Sequence, residues 1–182
     1  TDSESNESAV VNSTINVITG APIIDLNGPV TISGNYSSNY AHLTTENISD
    51  ATATITATNS LASLELFLEV QDLNLENFNI SGTAIDISTN TTTLIIASTD
   101  LNVTVSEVTT GLNAGKQSVL IEPVTALSVN DMQTLLRAIT YEHIPGNFST
   151  NNRIIGIVTT NVNGTSSTQV NTTLLSIDEY EW

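Results

Sequence analysis

Cysteine is absent from the 182-residue chain. That excludes a disulfide framework and any thiolate metal site. Basic residues are scarce: Lys116, Arg137 and Arg153 stand against 19 acidic residues, for a formal net charge of -16. Neutralising phosphates needs Lys and Arg, so nucleic acid is not an expected partner, and an anionic membrane surface is disfavoured for the same reason. Histidine occurs only at His42 and His143, outside any zinc-type spacing. Gly-rich phosphate loops and nucleophile elbows are missing. No apolar run approaches the roughly 20 residues of a membrane span. No signal peptide is visible, so the chain is read as beginning after processing. With 19 acidic residues, some close carboxylate pair is inevitable and carries no weight as a glycosidase signature. The expectation is a protein that is not an enzyme, with no cofactor and no metal. Asp25, Asp72, Asp86 and Asp100 are expected to solvate the surface, since no EF-hand-like spacing joins them.

What is present is Val, Ile, Leu and Ala interleaved with Thr, Ser and Asn. That mixture suits strands and turns. "ATATITAT" (Ala51–Thr58) alternates strictly between apolar and polar. "LASLELFLEV" puts Ala62, Leu64, Leu66, Leu68 and Val70 on one face, with Glu65 and Glu69 opposite. "NVTVSEV" points Val103 and Val105 inward and Asn102 outward. Period-two alternation marks half-buried strands of antiparallel sheets. Asn27-Gly28-Pro29 and Asn163-Gly164 are turn signals, and the second predicts a hairpin of the last two strands. "SVNDMQTLLRAI" predicts a single helix. Ser128 is its N-cap and Asp131 the third helical position, with Met132, Leu135, Leu136 and Ile139 facing the core. The fold class expected is all-β, an antiparallel β-sandwich with one short helix.

The stretch Leu135–Ser167 resembles the end of a cadherin-like, immunoglobulin-type repeat of large extracellular proteins. Leu136, Arg137, Ile139, Thr140, Tyr141, Pro145 and Arg153 carry the likeness. "APIIDLNG" (Ala21–Gly28) is similar to the start of such a repeat. The paired acidic calcium motifs of true cadherins are missing, and "TTNVNG" stands where Asp-Gly is common. The resemblance implies a sandwich fold and an extracellular setting; its motif is a packing pattern.

Acceptor sequons for N-linked sugar occur at Asn6, Asn12, Asn35, Asn47, Asn79, Asn90, Asn102, Asn147, Asn163 and Asn171. Their density predicts a secreted, cell-surface glycoprotein, with N-linked glycans as covalent modification.

One segment occurs twice. "SAVVNSTINVI" (Ser8–Ile18) aligns without a gap on "STQVNTTLLSI" (Ser167–Ile177). Val11, Ile15 and Val17 share one face, with Asn12 opposite, as Val170 and Leu174 face away from Asn171. The first copy is read as the domain's own first strand, the tail of a preceding repeat, or a donor strand for a neighbouring molecule. Residues 1–19 are therefore expected to be a tail with a candidate donor strand, 20–178 the sandwich, and 179–182 a C-terminal tail. The expected function is a structural subunit of an extracellular filament, polymerising head-to-tail with copies of itself by strand exchange. The alternative is an adhesion or spacer module beside other cell-surface domains.

Overall fold

A computed structural model describes residues 20–29, 34–41, 44–72, 75–96, 100–144, 146 and 150–177. They form an all-β sandwich with one short helix, as the alternation predicted. The larger sheet has seven strands in the order β2 (Tyr36–Tyr40), β13 (Val170–Ser176), β12 (Arg153–Asn161), β5 (Leu61–Leu68), β10 (Gln117–Pro123), β9 (Leu101–Glu107) and β8 (Thr91–Ile96). The smaller has four, ordered β3 (Thr45–Asn47), β11 (Thr140–His143), β6 (Glu76–Ile80) and β7 (Thr83–Asp86). β1 (Ile23–Asp25) and β4 (Thr54–Thr56) pair as a separate ribbon.

The inward phases of the strands make the core. On β5, Leu64, Leu66 and Leu68 are buried, and on β9 so are Val103 and Val105. Phe78 and Ile80 from β6 meet them from the smaller sheet. Removing such side chains from water drives the two sheets together. Helix α1 (Val129–Ala138) packs against β4 and β5. Met132, Leu135, Leu136 and the following Ile139 are buried, as their spacing predicted. Ser128 Oγ accepts from Asp131 N at 3.2 Å and donates to Asp131 Oδ2 at 2.7 Å. This satisfies one orphan amide of the first turn.

β12 and β13 pair antiparallel, from Arg153 opposite Leu174 to Ile157 opposite Val170. Asn163 and Gly164 sit at the tip of their connection, and Gly164 takes φ +78°. Asn161 Oδ1 accepts from Asn163 N and Thr165 N, both at 3.0 Å, which holds the tip closed.

Two expectations are corrected here. The strand expected over Ala51–Thr58 is only Thr54–Thr56. Asp50 Oδ1 accepts from Thr52 N at 2.7 Å and from Thr52 Oγ1 at 2.6 Å. That side-chain turn takes Ala51 and Thr52 out of the ladder, although Ala53 and Ile55 remain buried. The sandwich is also not antiparallel throughout, because β13 pairs β2 in parallel. Parallel neighbours need a long crossover, and here most of the domain lies between the two strands in sequence.

Candidate functional site

Seven of the ten sequons fall on described residues. Asn35, Asn47, Asn90 and Asn163 are exposed, while Asn79, Asn102 and Asn171 are half-buried. Asn6, Asn12 and Asn147 lie outside the described residues, as do Val11, Ile15 and Val17 of the candidate donor strand.

Position in the sheets sorts them further. Asn35 immediately precedes β2, Asn90 immediately precedes β8, and Asn47 is the last residue of β3. Each of those strands is the edge of its sheet. Asn79 lies inside the smaller sheet, opposite Thr140, and Thr140 in turn is opposite Asn47. These two sequons therefore share one row of the outer face. Asn79 Oδ1 accepts from Gly82 N at 3.0 Å.

On the outer face of the larger sheet a polar chain joins two further sequons. Lys116 Nζ donates to Asn113 Oδ1 at 3.1 Å, and Asn113 Nδ2 to Gln169 Oε1 at 2.8 Å. Gln169 Nε2 then donates to Asn171 Oδ1 at 2.9 Å, and Asn171 N to Asn35 Oδ1 at 2.8 Å. Gly156 makes room for this chain, because a Cβ there would lie 2.4 Å from Gln169 Nε2.

A second constellation is interior. Arg153, the first residue of β12, is 1% exposed, and Glu76, the first of β6, is fully buried. The Arg153 Nε donates to Glu76 Oε1, and its Nη2 donates to Asp72 Oδ2 at 2.6 Å. Tyr141 Oη donates to Glu76 Oε1 at 2.8 Å. The other Glu76 oxygen accepts from Gln71 N at 2.8 Å and Asp72 N at 3.2 Å. His143 Nε2 lies 3.1 Å from Asp72 Oδ2. Arg153 also stands 5.8 Å over the Tyr40 ring. Burial, and then the Glu76 charge, push the Tyr141 hydroxyl well above the usual tyrosine range. Burial likewise raises Tyr40, against the Arg153 charge.

This cluster joins β6 and β11 of one sheet to β12 of the other. Two carboxylates face one guanidinium, with the His143 ring beside Asp72. Glu76 meets four donors, which is what a carboxylate needs to be tolerated inside a protein. Asp72 was expected at the surface; it is only 10% exposed, and Arg153 and His143 hold it there. The alternation had a signal for the cluster. Arg153 shares the inward phase of Ile155 and Ile157, and Glu76 that of Phe78 and Ile80. Among the described residues no three His, Asp or Glu side chains are grouped to hold a metal ion. No described helix is long and apolar enough to cross a membrane. No protein-family model matches the chain, and no curated protein matches it.

Proposed function

We propose that the chain is a structural β-sandwich module of an extracellular glycoprotein, in which residues 8–18 belong to the neighbouring sandwich. One observation carries this reading. Residues 167–177, the segment that 8–18 duplicates, supply β13, which is already seated between β12 and β2. The place for such a strand in this domain is taken, so the spare copy suits the closing strand of a preceding repeat. The cadherin-like resemblance of Leu135–Ser167 accords with repeats in series. The three basic side chains are engaged by the chain itself: Arg153 by the cluster, Lys116 by Asn113, and Arg137 Nε by Ala53 O at 2.8 Å. That supports a surface module without nucleic acid as a partner.

The filament reading keeps one observation in its favour. β2 and β8 are the outer strands of the larger sheet; among the described residues no strand pairs their outer sides, so an added strand could use those main-chain groups. A donor carrying Val11, Ile15 and Val17 would gain roughly 1.5–3 kcal/mol for each such side chain it buries.

Both readings predict that deleting residues 1–19 leaves a sandwich that still folds, and under the filament reading the deletion also removes the stability that the donor adds to its neighbour. Unfolding of the truncated chain would make 8–18 an ordinary first strand and end both. Size after sugar removal then separates them. A longer polypeptide supports the repeat module; a polymer of 19.3 kDa subunits supports the filament.

A further inference from the structure

A sheet edge carries unpaired N–H and C=O groups and invites another strand. The edges of this fold are closed in different ways. β4 is capped by the helix: Ile55 N donates to Gln133 Oε1 at 3.0 Å, and Arg137 donates to Ala53 O. β1 is met by the chain at Gly34, whose carbonyl accepts from Leu26 N at 2.9 Å. β7 is only four residues long and ends in Asp86, whose Oδ1 accepts from Ser88 N at 2.8 Å. Short length and terminal charge are known protections for an edge.

β2 and β8, of five and six residues, have none of these protections among the described residues, and β3, though only three residues long, is met by neither the helix nor a crossing chain there. They are the strands that hold, or directly follow, the exposed sequons Asn35, Asn47 and Asn90. The half-buried sequons Asn79, Asn102 and Asn171 lie on interior strands β6, β9 and β13. Exposure and edge position therefore coincide, apart from Asn163 at its hairpin tip.

We propose that N-linked sugars at Asn35, Asn47 and Asn90 are edge guards, which keep β2, β3 and β8 from adding a strand of another molecule. The proposal rests on the glycoprotein reading. Attachment joins the asparagine Nδ2 to the anomeric carbon of a sugar carried on a lipid diphosphate. The C–N bond forms as the C–O bond to the diphosphate breaks, and the displaced Nδ2 proton leaves with the lipid diphosphate. The carbonyl oxygen is untouched, so Asn35 Oδ1 still accepts from Asn171 N. A paired strand must approach to about 4.8 Å. A hydrated oligosaccharide rooted at the edge fills that space. The guard also separates the two functional readings, since a guarded β2 or β8 is closed to a donor segment.

The test uses the full chain secreted from a host that attaches N-linked sugar. Glycopeptide mass spectrometry should find Asn35, Asn47 and Asn90 occupied. One variant removes the edge sequons through Ser37→Ala, Ser49→Ala and Asn90→Gln. A matched variant removes three others through Asn79→Gln, Asn102→Gln and Asn163→Gln. The first two edge changes keep the asparagines in place, and Ser49 Oγ has no hydrogen-bond partner among the described residues to lose. The edge variant should show about a fivefold or greater rise in weight-average mass at equal concentration, with slowed amide exchange in β2, β3 and β8. The matched variant should keep the wild-type size. If a variant is poorly secreted, stepwise enzymatic trimming of folded wild-type protein gives the same readout, with association following loss of the edge sugars. Equal behaviour of the two variants, or bare edge asparagines on a dispersed protein, overturns the proposal alone. A chain with no sugar anywhere overturns the glycoprotein reading and the proposal with it.

Discussion

Glu76 and β3 pose the same physical problem in opposite settings. Glu76 is a charged group with no access to water, and every lone pair it offers is met by Arg153, Tyr141 or a backbone amide. β3 is the outer strand of its sheet, and among the described residues no strand pairs its outer side; Asn47 is exposed at its end. In the cluster, the charged groups are satisfied by one another, and that ties the two sheets together. At β2, β3 and β8 no described strand pairs the outer side, and sugar is proposed to keep other strands away. The contrast predicts that substitutions in the cluster act on folding, while substitutions at the edges act on association.

The largest effect is expected at Arg153. Arg153→Met keeps much of the side-chain volume but leaves Glu76 and Asp72 buried without their guanidinium. Breaking a buried pair from one side typically costs about 3–5 kcal/mol. Urea unfolding should register a loss of that order. Adding Glu76→Gln and Asp72→Asn to Arg153→Met should recover a substantial part of it, because the uncompensated charges are gone. A single-variant loss under about 1 kcal/mol would mean the cluster is solvated and the contrast with the edges is false.

Alkali should reach the cluster through Tyr141. Its folded-state pKa is raised by burial and by Glu76, whereas an unfolded tyrosine titrates near 10. The folded protein therefore holds this proton at pH values where the unfolded chain releases it. Stability is fully present below about pH 10 and falls above it, by up to about 1.4 kcal/mol per pH unit for one such group. Tyr40 is raised in the same direction and adds to the slope. In Tyr141→Phe the protein should be weaker at pH 8, since Glu76 loses a donor, yet its decline between pH 9.5 and 11.5 should be shallower. Parallel declines in the two proteins would place the alkaline sensitivity elsewhere.

Much of the sandwich was legible because burial follows alternation. Leu64, Leu66, Val103 and Val105 are where a period of two puts them, and Ser128 caps the helix that its sequence spacing announces. The turn at Asp50 was less so, because a side chain competing for backbone amides shortens a strand without disturbing its alternation. The ion cluster was half legible. Pattern places Arg153 and Glu76 inward, but they are 77 residues apart, and which strands face each other across the core is decided by long-range packing. The edges were hidden for the same reason. Ten sequons can be counted along the chain, yet strand order alone shows that Asn35, Asn47 and Asn90 flank or end the outer strands of the two sheets.

The smallest effect on folding, and the sharpest test of the contrast, is expected at Asn47. Asn47 is exposed at the end of an edge strand, so a polar replacement should shift the unfolding free energy by less than about 0.5 kcal/mol. Asn47→Gln and Asn47→Lys both abolish the sequon. Lysine, however, is itself a common protection for edge strands. If the sugar acts by keeping strands off β3, Asn47→Gln should associate through that edge and Asn47→Lys should remain dispersed. Net repulsion cannot account for such a difference. Lysine moves the formal charge from -16 toward zero by one unit, which weakens repulsion between molecules. Sedimentation of the two variants at matched concentration, with urea unfolding alongside, reads both quantities. Equal association of the two would sink the edge-guard reading at Asn47. A folding loss as large as that of Arg153→Met would erase the distinction between the interior cluster and the edge.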